Sequence, residues 1–106
     1  MINITFNPKT LELTVLGHAE HGEKGEDIVC SAISTLFYTL GETLNQSREM
    51  LKKEPIFKDE DGKGILSCVP KKEYRGNIAL TYRTVLIGME LVANNYPANV
   101  TFKVGG

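Results

Sequence analysis

Residues 27–44 read DIVCSAISTLFYTLGETL. Val29, Ile33, Leu36, Leu40 and Leu44 recur at three- and four-residue spacing, which places them on one face of an α-helix. Asp27 stands at the front of this run as an N-cap, its carboxylate able to accept a bond from an unpaired amide of the first turn. The helix fades between Gln46 and Lys53. A helix with one apolar face must bury that face against another layer, and the flanking sequence supplies one.

Upstream, Ile2, Ile4 and Phe6 alternate with Asn3 and Thr5, and Leu11, Leu13 and Val15 alternate with Glu12 and Thr14. These are two strands, joined through the turn chemistry of Asn7-Pro8-Lys9-Thr10 into a hairpin that ends at Gly17. Downstream, Ile56-Phe57 opens a short strand, Asp59 to Gly64 reads as an Asp- and Gly-rich turn, and Ile65 to Val69 returns as its partner, ended by Pro70. Asn77 caps a second long helix with Ile78, Tyr82, Val85, Met89 and Val92 on one face and Leu80, Ile87 and Leu91 on another. A helix apolar on two sides is deeply buried or meets a partner, so a homodimer is expected. Asn94-Asn95-Tyr96-Pro97 stops it, and Val100, Phe102 and Val104 form a last strand. The expected fold is α+β: two long helices packed on a mostly antiparallel sheet of about five strands, in the order β-β-α-β-β-α-β, as a single domain over residues 1–106.

Composition narrows the function. The chain has 106 residues, 42% of them hydrophobic and 24% charged, enough to bury a core without a disulfide or metal. Its net charge is −1, and the only basic pairs are Lys52-Lys53 and Lys71-Lys72. Nucleic-acid binding needs clustered Lys and Arg and is not expected. No apolar run reaches the ~20 residues that span a bilayer, and the first ten residues lack a signal-peptide pattern. A cytoplasmic protein with no membrane association is expected. Cys30 and Cys68 form no CxxC and read as thiols.

Cys30 is the first candidate for chemistry. With Asp27 as N-cap it falls in the first turn, where free amides and the helix dipole favour a thiolate. A carboxylate at Asp27 opposes that, and a cationic imidazole beside the sulfur offsets it. His18 follows the strand-ending Gly17, and residues 19–26, with Gly22 and Gly25 as hinges, form a loop between it and the helix. A strand end and a helix start joined in this way bring nucleophile and base together. Ser34 lies one turn beyond Cys30 on the same face. On spacing alone, a Cys in an amphipathic helix is most often a small buried hydrophobe, and Ser34 reads at least as readily as bonded back to its own helix carbonyl. His21 is a second candidate base, placed less rigidly within the loop. His18, His21, Cys30 and Cys68 could make a tetrahedral zinc site, but they match no compact metal pattern. The Asp59–Gly62 turn lacks the ligand set of an EF-hand. No metal or cofactor is expected.

Gly17-His18-Ala19 followed by Asp27-Ile28-Val29-Cys30-Ser31-Ala32-Ile33-Ser34 resembles the ribosomal-processing cysteine protease family, Prp, over nearly the whole chain. The resemblance implies that Cys30 is the nucleophile and His18 the catalytic histidine. Asp27 and Ser34 would be supporting residues, and Gly25 a loop glycine. It further implies a homodimer that removes a short N-terminal extension from bacterial large-subunit ribosomal protein L-twenty-seven. The alternatives are a phage-related homologue acting on capsid or scaffold proteins, and a non-catalytic peptide-binding module of the same fold. Residues 19–26 would act as a lid over the peptide.

Overall fold

The structure is a computed structural model that describes residues 1–17 and 24–105, with residues 24–27 described by backbone only. The elements are β1 (Ile2–Asn7), β2 (Glu12–Leu16), α1 (Lys24–Asn45), β3 (Ile56–Glu60), β4 (Lys63–Ser67), α2 (Arg75–Asn95) and β5 (Val100–Val104), with short 3-10 turns at Arg48–Met50 and Lys72–Tyr74. The sheet order is β3-β4-β2-β1-β5. Every neighbouring pair is antiparallel except β1–β5, which is parallel. This is the expected α+β architecture.

Register sorts the strand residues into two faces, because successive side chains point to opposite sides. Ile4 pairs with Val15 and Phe102, Phe6 with Leu13 and Val104, and Leu13 with Leu66. That face carries the core, in which Ile2, Ile4, Leu13 and Leu66 pack with Val29, Ile33, Phe37, Leu40 and Leu44 of α1 and with Ile78, Tyr82, Val85 and Met89 of α2. The other face, with Asn3, Thr5, Glu12 and Lys58, is exposed.

Two turns are set by local chemistry. Asp61 (φ 47°) and Gly62 (φ 73°) both take positive φ between the paired residues Glu60 and Lys63. This is the two-residue Asp-Gly turn whose twist matches a hairpin. The strands therefore run to the turn, and the segment from Asp59 to Gly64 is mostly strand, not an extended loop. In the first hairpin the Lys9 amide donates to Asn7 Oδ1 at 2.9 Å, fixing the chain reversal.

Three expectations are corrected. α1 begins at Lys24, so Asp27 is its fourth residue and not its N-cap, and Gly25 lies in the first turn, not in a loop. Once packing of Val29 and Ile33 fixes the helix, each added residue extends it at little cost, and one glycine does not stop it. α2 likewise begins at Arg75, directly from the preceding 3-10 turn, so Asn77 is inside it; its carbonyl accepts the Thr81 hydroxyl at 2.9 Å. On α1 the buried stripe passes through Phe37, with Leu36 only partly buried. Gly64 accounts for this: a Cβ there would sit 2.8 Å from the Phe37 ring, so the absent side chain makes room for the larger one.

Candidate active site

Cys30 is the seventh residue of α1 and half-buried, beside the core residues Val29 and Ile33. Its Sγ lies 3.9 Å from Ser34 Oγ, one turn along. Sequence reasoning thus paired these two correctly. The helix dipole does not act on Cys30 from the N-terminus as expected, because its influence fades within the first turn. Nor can free amides of the helix start surround it, since only the first four N–H groups of a helix lack intrahelical partners.

Cys30 opens into a cleft of 170 Å³ between α1 and the sheet. Its walls include Val15 and Gly17 from the end of β2, Ser34 and Tyr38 from α1, and Asp59 from β3. Gly17 is held by its amide, which donates to the Gly62 carbonyl at 2.8 Å. It takes φ 101°, a conformation that side-chain-bearing residues rarely adopt. The residue bonded to it, His18, lies outside the described residues, as does Gly22 and most of the expected lid. Asp27 and Gly25 are placed by backbone alone, within the two turns of α1 that precede Cys30.

From this cleft a shallow groove of 840 Å³ follows the exposed face of α1 from Ser31 through Tyr38 and Glu42 to Ser47. A side pocket of 320 Å³ joins at Tyr38 and ends at Arg48 and Phe57. Tyr38 borders all three spaces. Its ring lies 5.6 Å from Phe57 and 6.1 Å from Phe37, while Phe37 and Phe57 are 5.3 Å apart. Gly41 lets Phe57 reach the helix, because a Cβ there would fall 2.1 Å from the ring. A half-exposed aromatic shelf beside a thiol, extended by a long polar groove, suits a peptide in extended form.

The second thiol is in a different environment. Cys68 is buried in the core, and the Tyr82 hydroxyl donates to its Sγ at 3.7 Å. Burial pushes the Cys68 thiol above its ordinary 9.0, with the hydrogen bond pulling partly the other way. Burial, then the neighbouring Cys68, pushes the Tyr82 phenol above its ordinary 10.0. Both groups hold protons more tightly folded than unfolded. Their contribution to stability is intact below about pH 9 and is lost as pH rises beyond it. Urea unfolding is expected to give a lower midpoint at about pH 10.5 than at about pH 8, with Tyr82→Phe showing a smaller decrease than wild type.

Asp59, Tyr38 and the Phe37–Phe57 pair escaped the sequence reading. A signal existed for Asp59: once Phe57 is assigned to the core face, period-two alternation puts Asp59 there as well. Reading Asp59 as the start of a turn concealed it.

The site is an accessible thiol on a helix, walled by a strand end and opening on a peptide-sized groove. The chain matches the family model for cysteine protease Prp over residues 1–101 and belongs to that family. A ribosomal processing cysteine protease Prp of Staphylococcus aureus is 25% identical over 101 residues, covering 93% of this chain and 92% of the relative. The crystal structure of an essential ribosomal processing protease Prp from S. aureus, in complex with a covalently linked product peptide, has a TM-score of 0.76 at 21% identity, covering 98% of this chain and 99% of that one. A Streptococcus mutans protein gives a TM-score of 0.73 at 26% identity, with coverage of 98% and 91%.

Proposed function

We propose that this cysteine protease removes a short N-terminal extension from large-subunit ribosomal protein L-twenty-seven in the bacterial cytoplasm, with Cys30 as nucleophile and His18 as general base. The observation that carries the reading is the shared cleft: Cys30 forms one wall and Gly17, covalently bonded to His18, forms another. The S. aureus relative is named for ribosomal processing and has a crystal structure in complex with a substrate peptide, which supports a protein substrate.

The chemistry is acyl transfer. The Cys30 thiolate adds to the scissile carbonyl, and the C–N bond breaks as His18 gives its proton to the leaving amine. Water, deprotonated by the imidazole, then hydrolyses the thioester and restores the thiol. In this reading Ser34, whose Oγ is 3.9 Å from the sulfur, donates its hydroxyl to the developing oxyanion. Asp27 is assigned a supporting role. The test is incubation of the pure protein with ribosomal protein carrying its extension, read by product mass. A shortened product supports the reading. Intact ribosomal protein together with cut capsid or scaffold protein would move the substrate to the phage class, and binding without cutting of either would make the chain a peptide-binding module.

We infer further that two copies pair through α2. Leu80, Ile87 and Leu91 are 63%, 48% and 57% exposed and, with Thr84, repeat at alternating four- and three-residue steps. Such a seam packs against a second helix. Arg83 and Glu90, both exposed, flank it seven residues apart. An antiparallel two-fold pairing sets each Arg83 against the other copy's Glu90. Ile87→Glu is expected to convert a dimer to a monomer by light scattering. A wild-type monomer at micromolar concentration would remove the inference.

A further inference from the structure

Asp59 breaks the pattern of the sheet's core face. It pairs with Gly64, which pairs with Val15, so the three side-chain positions share one face. The neighbouring row on that face is Leu13, Leu66 and Phe57. A carboxylate here would enter the core, except that Gly64 contributes no side chain and α1 stands off at the Cys30 cleft. Asp59 therefore remains exposed and lines that cleft together with Cys30, Ser34 and Tyr38. Among the described residues, no Lys or Arg lines the cleft. Farther along the groove, Glu42 accepts a bond from Gln46 at 2.9 Å, and Arg48 is paired with Glu54 at 2.9 Å.

We propose that Asp59 is a specificity-determining residue that selects a substrate with a Lys or Arg side chain close to the scissile bond. The inference rests on the proteolytic reading of Cys30. A carboxylate on a concave wall attracts a cation and repels an acidic residue. Inward-pointing charges also protect edge strands from pairing with other chains, and β3 is an edge strand. That role predicts no substrate preference, so the two can be separated.

The experiment uses the full chain, wild type, Asp59→Asn and Asp59→Lys, with peptides spanning the extension junction. Residues near the scissile bond are changed one at a time to Lys, Met or Glu. Wild type is expected to cut the Lys peptide about tenfold faster in kcat/KM than the Met peptide at one position, and the Glu peptide slowest. Asp59→Asn should level the series, and Asp59→Lys should reverse it. In parallel, Cys30 is modified with cationic and anionic methanethiosulfonates, which need no protease activity. The cation-to-anion rate ratio should fall from wild type to Asp59→Asn and fall again in Asp59→Lys. Cleavage with no charge preference at any position, or a preference that survives Asp59→Lys, overturns the proposal and leaves the protease intact. A uniform loss of kcat on all peptides in Asp59→Asn overturns it in favour of a role in the chemical step. If wild type cuts no peptide while the reagent ratios still shift, the proteolytic reading fails and takes the substrate preference with it.

Discussion

Cys30→Ala is expected to abolish cleavage, lowering kcat by about 10⁴-fold or more, while leaving the chain folded. The two cysteines make this a sharp experiment. Cys30 is half-buried and faces the cleft, so its truncation removes one sulfur from a partly solvated wall and costs little packing. Cys68 sits in the core and accepts the Tyr82 hydroxyl. Cys68→Ala opens a small cavity and leaves that buried hydroxyl without its partner, an expected cost of about 1–3 kcal/mol. It leaves the cleft untouched, so cleavage per folded molecule should stay within about twofold of wild type. The two variants thus separate stability from activity in opposite directions. Cys30→Ser is a stricter probe. It keeps the shape and a hydroxyl near Ser34, but an alcohol is far less acidic than a thiol and needs a stronger base. Its activity should stay close to that of Cys30→Ala. Residual cleavage by Cys30→Ala within tenfold of wild type, in enzyme shown by mass to be free of wild-type chain, would remove Cys30 as nucleophile.

The fold was legible because its information is periodic. Ile2, Ile4 and Phe6 alternate, Ile33, Leu40 and Leu44 recur at helical spacing, and Asp61-Gly62 specifies a tight hairpin, so local chemistry and core burial agree at each of these places. Helix starts were less legible. Asp27 and Asn77 are good capping residues, yet both helices begin earlier, because a side chain that can cap does not have to once packing extends the helix. The site was half legible. Cys30 and Ser34 stand out from sequence alone because a four-residue step on a helix fixes their proximity. Tyr38 continues that four-residue step along α1, whereas Asp59 does not stand out, because its place beside Cys30 comes from how α1 crosses the sheet. That crossing depends on two glycines, Gly41 under Phe57 and Gly64 under Phe37. A glycine chosen for close approach leaves no mark in a hydrophobic pattern.

Gly17→Ala is expected to be strongly destabilising. The backbone at Gly17 has φ 101°, which an alanine reaches only at a cost of about 1–3 kcal/mol. Its Cβ would also lie 2.2 Å from the Met1 carbonyl oxygen. That oxygen belongs to backbone and cannot swing aside like a side chain. The next residue, Ile2, begins β1 and donates its amide to the Asn99 carbonyl at 2.8 Å, while β1 is bonded on both sides, to β2 and β5. Relief of the clash must therefore pull on an interior strand of the sheet or break the bond from Gly17 to the Gly62 carbonyl. A loss of about 3 kcal/mol follows, or about 10 °C or more in Tm. Gly76→Ala is the matched control: it adds the same methyl in the first turn of α2, meets no atom within 4 Å, and should be neutral or stabilising by up to about 1 kcal/mol. Activity carries the second half of the prediction. Gly17 is both a wall of the Cys30 cleft and the residue bonded to His18. At a temperature where Gly17→Ala remains folded by circular dichroism, kcat should still fall by about 10²-fold, since a misplacement of about 1 Å in a catalytic pair costs that much. A stable, fully active Gly17→Ala protein would show that neither the strand end nor its strained turn positions the base.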